Sequence, residues 1–298
     1  MIGWQFRPAK QIQRLMAIDT MRRLSVFRPL PEYRYIGLGG FEFIDFDLVK
    51  RSLGIRSMVS IEETNHPKRS EFNCPSPDIE VFFGHTNVVL PSVPLDEPSI
   101  IWMDYCCPVR HDVLQDVLLL GERMLPGSML LVTANAAVAP EGERISTLED
   151  RVTRDRIPLD VSEEKHLDGF RTAAVQRRIL LSEIRKGLTQ REDGTRFEQI
   201  MNVRYNDTTP MQTIAGVFVD ASTNAQFAET EFRSLDQVRT TEEALKVKVP
   251  VLTAREVLDL EKRMKRGEPF PSFDWLKPRE RDSFGELHRW YPPVPAPM

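Results

Sequence analysis

Gly37, Gly39 and Gly40 stand between an apolar run, Arg34-Tyr35-Ile36, and a helical pattern that follows at once. The next apolar run, Ser57-Met58-Val59-Ser60-Ile61, ends in two carboxylates, Glu62 and Glu63. Glycines at a strand-to-helix turn let a ligand approach the backbone, and an acid at the end of the neighbouring strand accepts hydrogen bonds from ribose hydroxyls. The chemistry implied is the holding of a nucleoside-bearing cofactor. The plainer reading is a tight turn beside a solvated strand end.

Other chemistry-bearing residues follow later strand-like runs. His85 and Thr86 come after Ile79-Glu80-Val81-Phe82-Phe83-Gly84, and His111 follows the fourth run closely enough to be a candidate general base. Asp104 and Tyr105 close Ser99-Ile100-Ile101-Trp102-Met103. Asp104 is a site candidate, with helix capping as its structural alternative. Cys106 and Cys107 are adjacent, and a thiolate there would need a base such as His111. Two small buried side chains are the simpler account. Cys74, Cys106, Cys107 and His111 show no recognised zinc spacing, so no metal is expected. Asn135 follows the fifth run and could face a substrate. A dinucleotide fingerprint starting at Gly37 would need glycine at position 42, where Glu42 would repel a pyrophosphate. No Gly-Lys-Ser/Thr phosphate loop occurs.

The elements that must position these residues alternate. A helix is expected over 9–25, with Leu15, Ile18, Met21 and Leu24 at helical spacing and Arg14, Arg22 and Arg23 largely on other faces. Strands are expected at 34–37, 57–61, 79–83, 99–104 and 128–133, with helices at about 41–53, 65–72 and 111–124. Near-continuous apolar strands at this spacing predict an α/β fold: a doubly wound, Rossmann-like sheet of five parallel strands. A charged helical segment, 140–197, interrupts it, and strands at 198–205 and 211–219 form an antiparallel hairpin. Thr253 and Glu256 form a capping box ahead of a helix at 253–266. From Pro269 the tail, with Phe270, Phe273, Trp275, Phe284, Trp290, Tyr291 and a final proline run, is expected to be neither helix nor central strand. It is expected to strap across the domain or a partner. The organisation expected is therefore an N-terminal helix (1–30), a core (31–139 and 198–222), the insertion (140–197) and a C-terminal helix with its tail (223–298).

The chain has 298 residues, 41% hydrophobic and 28% charged, with a net charge of -4, so a dominant polyanion-binding surface is not indicated. The apolar runs are short of a membrane span, and the first residues lack a signal-peptide core. Three cysteines fit a reducing, cytoplasmic setting rather than a disulfide framework.

In order of elements, residues 30–220 resemble the class I S-adenosylmethionine-dependent methyltransferase fold, whose sheet ends in an antiparallel hairpin. The phrases Tyr35-Ile36-Gly37-Leu38-Gly39-Gly40-Phe41-Glu42-Phe43, Ser60-Ile61-Glu62 and Ile101-Trp102-Met103-Asp104-Tyr105 also resemble bacterial O-methyltransferase-like proteins. That resemblance implies S-adenosylmethionine as cofactor. Gly37, Gly39 and Gly40 would wrap its methionine part, Glu62 (or Glu63) would hold the ribose, His85 and Thr86 would face adenine, and Asp104 would face cofactor or substrate. The chain departs from the family pattern at Tyr35, where an acid is usual, and in lacking a third spaced glycine; Glu42 or Asp45 could supply the acid instead. No Asn/Asp-Pro-Pro-Tyr motif appears, which argues against the usual amino-methylation of bases.

The leading expectation is an enzyme that transfers a methyl group to an unidentified acceptor, preferably an oxygen, with Asp104 and His111 as candidate catalytic residues and 140–197 as a substrate cap. One alternative is a methyltransferase fold retained as an interaction or scaffold subunit, associating through its tail. Another is a nucleic-acid-modifying methyltransferase, because residues 171–196 carry seven Lys/Arg against three Asp/Glu. Nucleic acid is the less favoured partner, since such residues usually form solvated helix faces and stacking aromatics are sparse there.

Overall fold

The computed structural model describes residues 7–250, 252–269 and 275–291. In chain order the regular elements are α1 (Pro8–Arg22), β1 (Arg34–Gly37), α2 (Ile44–Leu53), β2 (Ser57–Glu62), α3 (Pro67–Asn73), β3 (Ile79–Phe83), α4 (Thr86–Val89), β4 (Ser99–Pro108), α5 (His111–Arg123) and β5 (Met129–Asn135). There follow α6 (Arg144–Val152), α7 (Glu163–His166), α8 (Arg171–Leu188), β6 (Arg196–Asn206), β7 (Pro210–Val219), α9 (Asn224–Glu229), β8 (Leu245–Val247), α10 (Ala254–Arg266) and α11 (Pro278–Leu287).

The strands form one sheet in the order β3-β2-β1-β4-β5-β7-β6-β8. β1 to β5 run parallel, β7 pairs antiparallel with both β5 and β6, and β8 adds a short parallel edge on β6. The doubly wound sheet with a terminal hairpin is therefore present. Strand order reverses between β1 and β4, and the crevice at such a switch point is where α/β sheets bind ligands.

Alternation within the strands divides the core into two layers. Ile100 and Trp102 of β4 and Met129 and Leu131 of β5 face a cluster with Ile12, Met16 and Met21 of α1 and Phe46 of α2. Ile101, Met103, Leu130 and Val132 face the opposite cluster, built with Val113, Val117 and Leu120 of α5 and Ile179, Leu180 and Ile184 of α8. Successive side chains of a strand point to opposite faces, so a strand covered by helices on both sides is apolar throughout.

Several expectations need correction. No residue of segment 140–197, expected as a substrate cap, lines either of the two cavities at the carboxyl edge described below. Its main helix, α8, packs along α5 at a glycine contact: a Cβ on Gly187 would come 2.3 Å from the Leu118 carbonyl oxygen, and one on Gly121 would come 2.5 Å from that of Ile184. The helix expected from about 41 starts at Ile44, because Phe43 adopts a left-handed conformation (φ 48°, ψ 31°). The proline-rich loop after β3 contains α4, and β8 escaped the sequence pattern because three residues carry too little periodicity. The tail forms a helix after all: Pro278 occupies the first turn of α11, where its missing N–H costs nothing. Its described part docks on the chain itself, with Leu287 and Trp290 in the core and the Trp290 indole N–H donating to Asp19 of α1 at 3.0 Å. Phe270, Phe273 and the final proline run lie outside the described residues. The capping box of Thr253 and Glu256 is present.

Candidate functional site

The loop between β1 and α2 is the first wall of the site. Gly40 has φ 59°, and a Cβ on Gly39 would fall 2.6 Å from the Phe43 ring and 2.8 Å from Glu62 Oε1. Only glycine leaves the backbone this close to its neighbours. Phe43 is fully buried and packs edge-on against Phe46, with centroids 5.7 Å apart, so its ring has no room to yield. Its left-handed backbone is local strain held in place by that packing.

Glu62 ends β2 beside this loop and is 5% exposed. Its Oε1 accepts from the Gly39 N–H at 2.7 Å and from the Ser60 hydroxyl. Burial pushes the Glu62 carboxyl above its ordinary value, and the bonds from Ser60, Gly39 and Gly40 pull partly the other way. The charged form is thus costly and gains from any further donor.

A cavity of about 380 Å³ opens here, lined by Gly39, Gly40, Phe41, Glu42, Asp45, Glu62, Glu63, His85, Thr86 and Asp104, and by Arg14 from α1. Six of its lining residues are acids (Glu42, Asp45, Glu62, Glu63, Asp104, Asp112) and two are arginines (Arg14, Arg110). That excess of carboxylates suits a ligand carrying positive charge and disfavours a pyrophosphate. A second cavity of about 180 Å³ is lined by Lys10, Asn135, Tyr205, Asp207 and Met211. Asp104, Tyr105 and Cys106 line both cavities.

The sequence candidates divide accordingly. Gly39, Gly40, Glu42, Glu62, His85, Thr86 and Asp104 come together around the first cavity, and Asn135 reaches the second. Gly37 is not in the lining; a Cβ there would lie 3.1 Å from the Tyr35 hydroxyl, so it serves strand packing. His111 is a correction. It opens α5 on the surface, pairs through Nδ1 with Arg156 at 3.1 Å, and lines neither cavity. Its neighbours Arg110 and Asp112 line the first cavity, whereas the His111 ring is engaged by Arg156. His85 is occupied too, with Nδ1 on Asn87 at 2.7 Å and Nε2 near Asp112 at 3.3 Å. Thr86 donates to Asp116, which Tyr105 also engages.

Asp104 is not a free base. Lys10 Nζ donates to both its oxygens, at 2.5 and 2.6 Å, and Lys10 is 3% exposed. Burial opposes the Lys10 charge, but Asp104, with Tyr205 and Asp45 adding to it, outweighs that cost and holds the ammonium above its ordinary range. The Cys106 and Cys107 thiols are pushed up by burial, which leaves them as thiols rather than nucleophilic thiolates at neutral pH. Tyr35, where the family pattern has an acid, is a fully buried core residue against Phe46. Asp45, a candidate replacement, is bound to Arg14 Nε at 2.5 Å. Glu42 remains exposed at the cavity wall.

Sequence reasoning missed α1 as part of the site. Lys10 and Arg14 are one helical turn apart, and the Asp207 carboxylate caps the helix by accepting from the backbone N–H of Ala9 and Lys10 at 3.0 and 2.9 Å. The available signal was the i, i+4 pair of cations within an otherwise apolar face. The basic run at 177–178 is not one solvated patch either: Arg177 is 8% exposed and bonds Gln199, whereas Arg178 pairs with Asp160. None of the described helices is long and apolar enough to cross a membrane.

The glycine cradle, the acid excess and the buried Glu62 fit the cofactor implied by the resemblance. Among solved structures, the chain is similar to a "putative hemolysin" from Lactococcus lactis (9% identity, 71% of this chain and 89% of that one, TM-score 0.43). It is also similar to the mitomycin 7-O-methyltransferase MmcR (14%, 69% and 54%, TM-score 0.36). A third likeness is to an O-methyltransferase family protein from Burkholderia thailandensis (10%, 69% and 56%, TM-score 0.38). At such scores these are distant likenesses, and the chain spans little more than half the length of the last two. No curated protein sequence matches it. One family description, "Putative O-methyltransferase", matches residues 2–294, nearly the whole chain, and to that family this protein belongs.

Proposed function

We propose that the protein is an S-adenosylmethionine-dependent O-methyltransferase, with its cofactor in the larger cavity and its methyl acceptor in the smaller one. The observation that carries this reading is Glu62, buried and fastened to the N–H of a glycine whose Cβ the site cannot admit. The cofactor supplies an activated methyl group on a sulfonium. Gly39 and Gly40 would border its amino-acid portion, Glu62 would accept from its ribose hydroxyls, and His85 and Thr86 would stand beside its base.

The remaining task of the chain is alignment, which contributes most when the acceptor oxygen is held at near-attack distance. Asp104, Tyr105 and Cys106, shared by the two cavities, mark where donor and acceptor meet. Lys10 holds Asp104 fixed and places a buried cation beside the acceptor space. An acceptor that arrives as an oxyanion, such as a carboxylate or an acidic phenol, needs no proton removed, so alignment alone would suffice for it.

Titration calorimetry with S-adenosylmethionine and its demethylated product tests the reading directly. Both should bind the folded protein, and Glu62→Ala should weaken them by about 1–3 kcal/mol through the lost charged hydrogen bonds. A folded wild-type protein that binds neither compound refutes the assignment.

A further inference from the structure

Arg14 is 3% exposed, lines the larger cavity, and spends its Nε on Asp45. Its Nη1 is buried and has no hydrogen-bond partner. A buried guanidinium N–H left unpaired loses its hydration without compensation, so such donors are normally satisfied. Asp45 is itself 7% exposed and lines the same cavity. An arginine with a spare donor and a carboxylate beside it form the charge complement of an α-amino acid zwitterion: Nη1 for the carboxylate, Asp45 for the ammonium. The pair lines the same cavity as Gly39 and Gly40, and at Gly40 the space that a Cβ would take is open.

We propose that Arg14 and Asp45 form a two-ended clamp for the amino-acid portion of the cofactor, with Arg14 as the carboxylate-binding residue. This inference rests on the proposed cofactor. It also accounts for the missing acid at Tyr35, since the acid has moved to Asp45 on α2 and is held in place by a cation from α1. Glu42, exposed at the cavity wall, is not needed for that role.

The assignment makes the two halves of the cofactor separable. S-adenosylhomocysteine carries both adenosine and the amino-acid chain, whereas 5′-methylthioadenosine lacks the chain. Arg14→Met and Arg14→Lys are purified as full chains, checked by thermal melting, and titrated with both compounds. Arg14→Lys keeps the charge beside Asp45 but lacks the second donor of the planar fork, so the test survives if Arg14→Met fails to fold. Binding of S-adenosylhomocysteine should fall tenfold or more in each folded variant, while 5′-methylthioadenosine stays within twofold of wild type. Unchanged binding of S-adenosylhomocysteine, or an equal loss for both compounds, overturns the clamp and leaves the cofactor assignment standing. A wild-type protein that binds neither compound ends both.

Discussion

Gly39→Ala is the most demanding perturbation of the site, because one methyl group meets two fixed neighbours. The added Cβ would lie 2.6 Å from Phe43 Cδ1 and 2.8 Å from Glu62 Oε1, against the 3.5–4.0 Å or so of an unstrained carbon contact. Phe43 cannot turn away, since it is fully buried against Phe46 and its own backbone is already left-handed. Relief must come from the loop or from Glu62, and either movement breaks the 2.7 Å bond between them. Overpacking of this kind costs about 1–3 kcal/mol. At about 2–4 °C per kcal/mol for a large domain, the thermal midpoint should fall by roughly 2–12 °C. Calorimetry should show a tenfold or greater loss of S-adenosylhomocysteine binding in the folded variant. Gly40→Ala is the control. No atom lies within 4 Å of its added Cβ, so its cost is the left-handed backbone alone, about 1–2 kcal/mol. If Gly39→Ala binds with wild-type affinity, the glycine loop is a structural turn and the reasoning from close approach is wrong.

Two further tests address the charges. The Glu62 carboxyl titrates above its ordinary 4.5 because burial disfavours its charge. Its raised folded value means that it favours the ligand-free fold in acid, and that this contribution is lost as pH rises through that value. Ribose binding needs the carboxylate, so the dissociation constant of S-adenosylhomocysteine should rise as pH is lowered from neutral into the range where the raised carboxyl takes up its proton, and Glu62→Gln should flatten that profile. A wild-type profile flat across this window removes Glu62 from the ribose contact. Lys10→Met should destabilise the fold by up to about 3 kcal/mol by leaving the part-buried Asp104 without its cation, and adding Asp104→Leu should restore most of the loss, as read by denaturant unfolding. Because the folded Lys10 value lies above 10.5, the pair contributes its full stability below that pH and is lost only in stronger alkali; equal losses in the single and double variants contradict the pairing.

Much of the fold was legible because buried parallel strands announce themselves as apolar runs. β1 and β3 begin and end where the pattern places them, and Gly54 closes α2 in the left-handed conformation. The start of α2 was not legible: nothing in Phe41-Glu42-Phe43 reveals that a buried phenylalanine takes a positive φ, since tertiary packing imposes it. The first cavity was readable from local sequence, as its residues follow successive strand ends. Arg14 and Lys10 were not, because their partners Asp45 and Asp104 lie 31 and 94 residues away. His111 was not legible either, as its neighbours Arg110 and Asp112 line the cavity while its own ring pairs with Arg156, 45 residues away.

The clasp between Asp207 and the first turn of α1 has a consequence for how the molecule is made. Its two halves are separated by 198 residues, so the opening helix leaves the ribosome long before the hairpin turn that fastens it. Until that turn emerges, an arginine and a lysine destined for burial remain in water. The pocket is therefore completed late in synthesis, and nascent chains stalled before the hairpin should hold a partial sheet without a competent cofactor site.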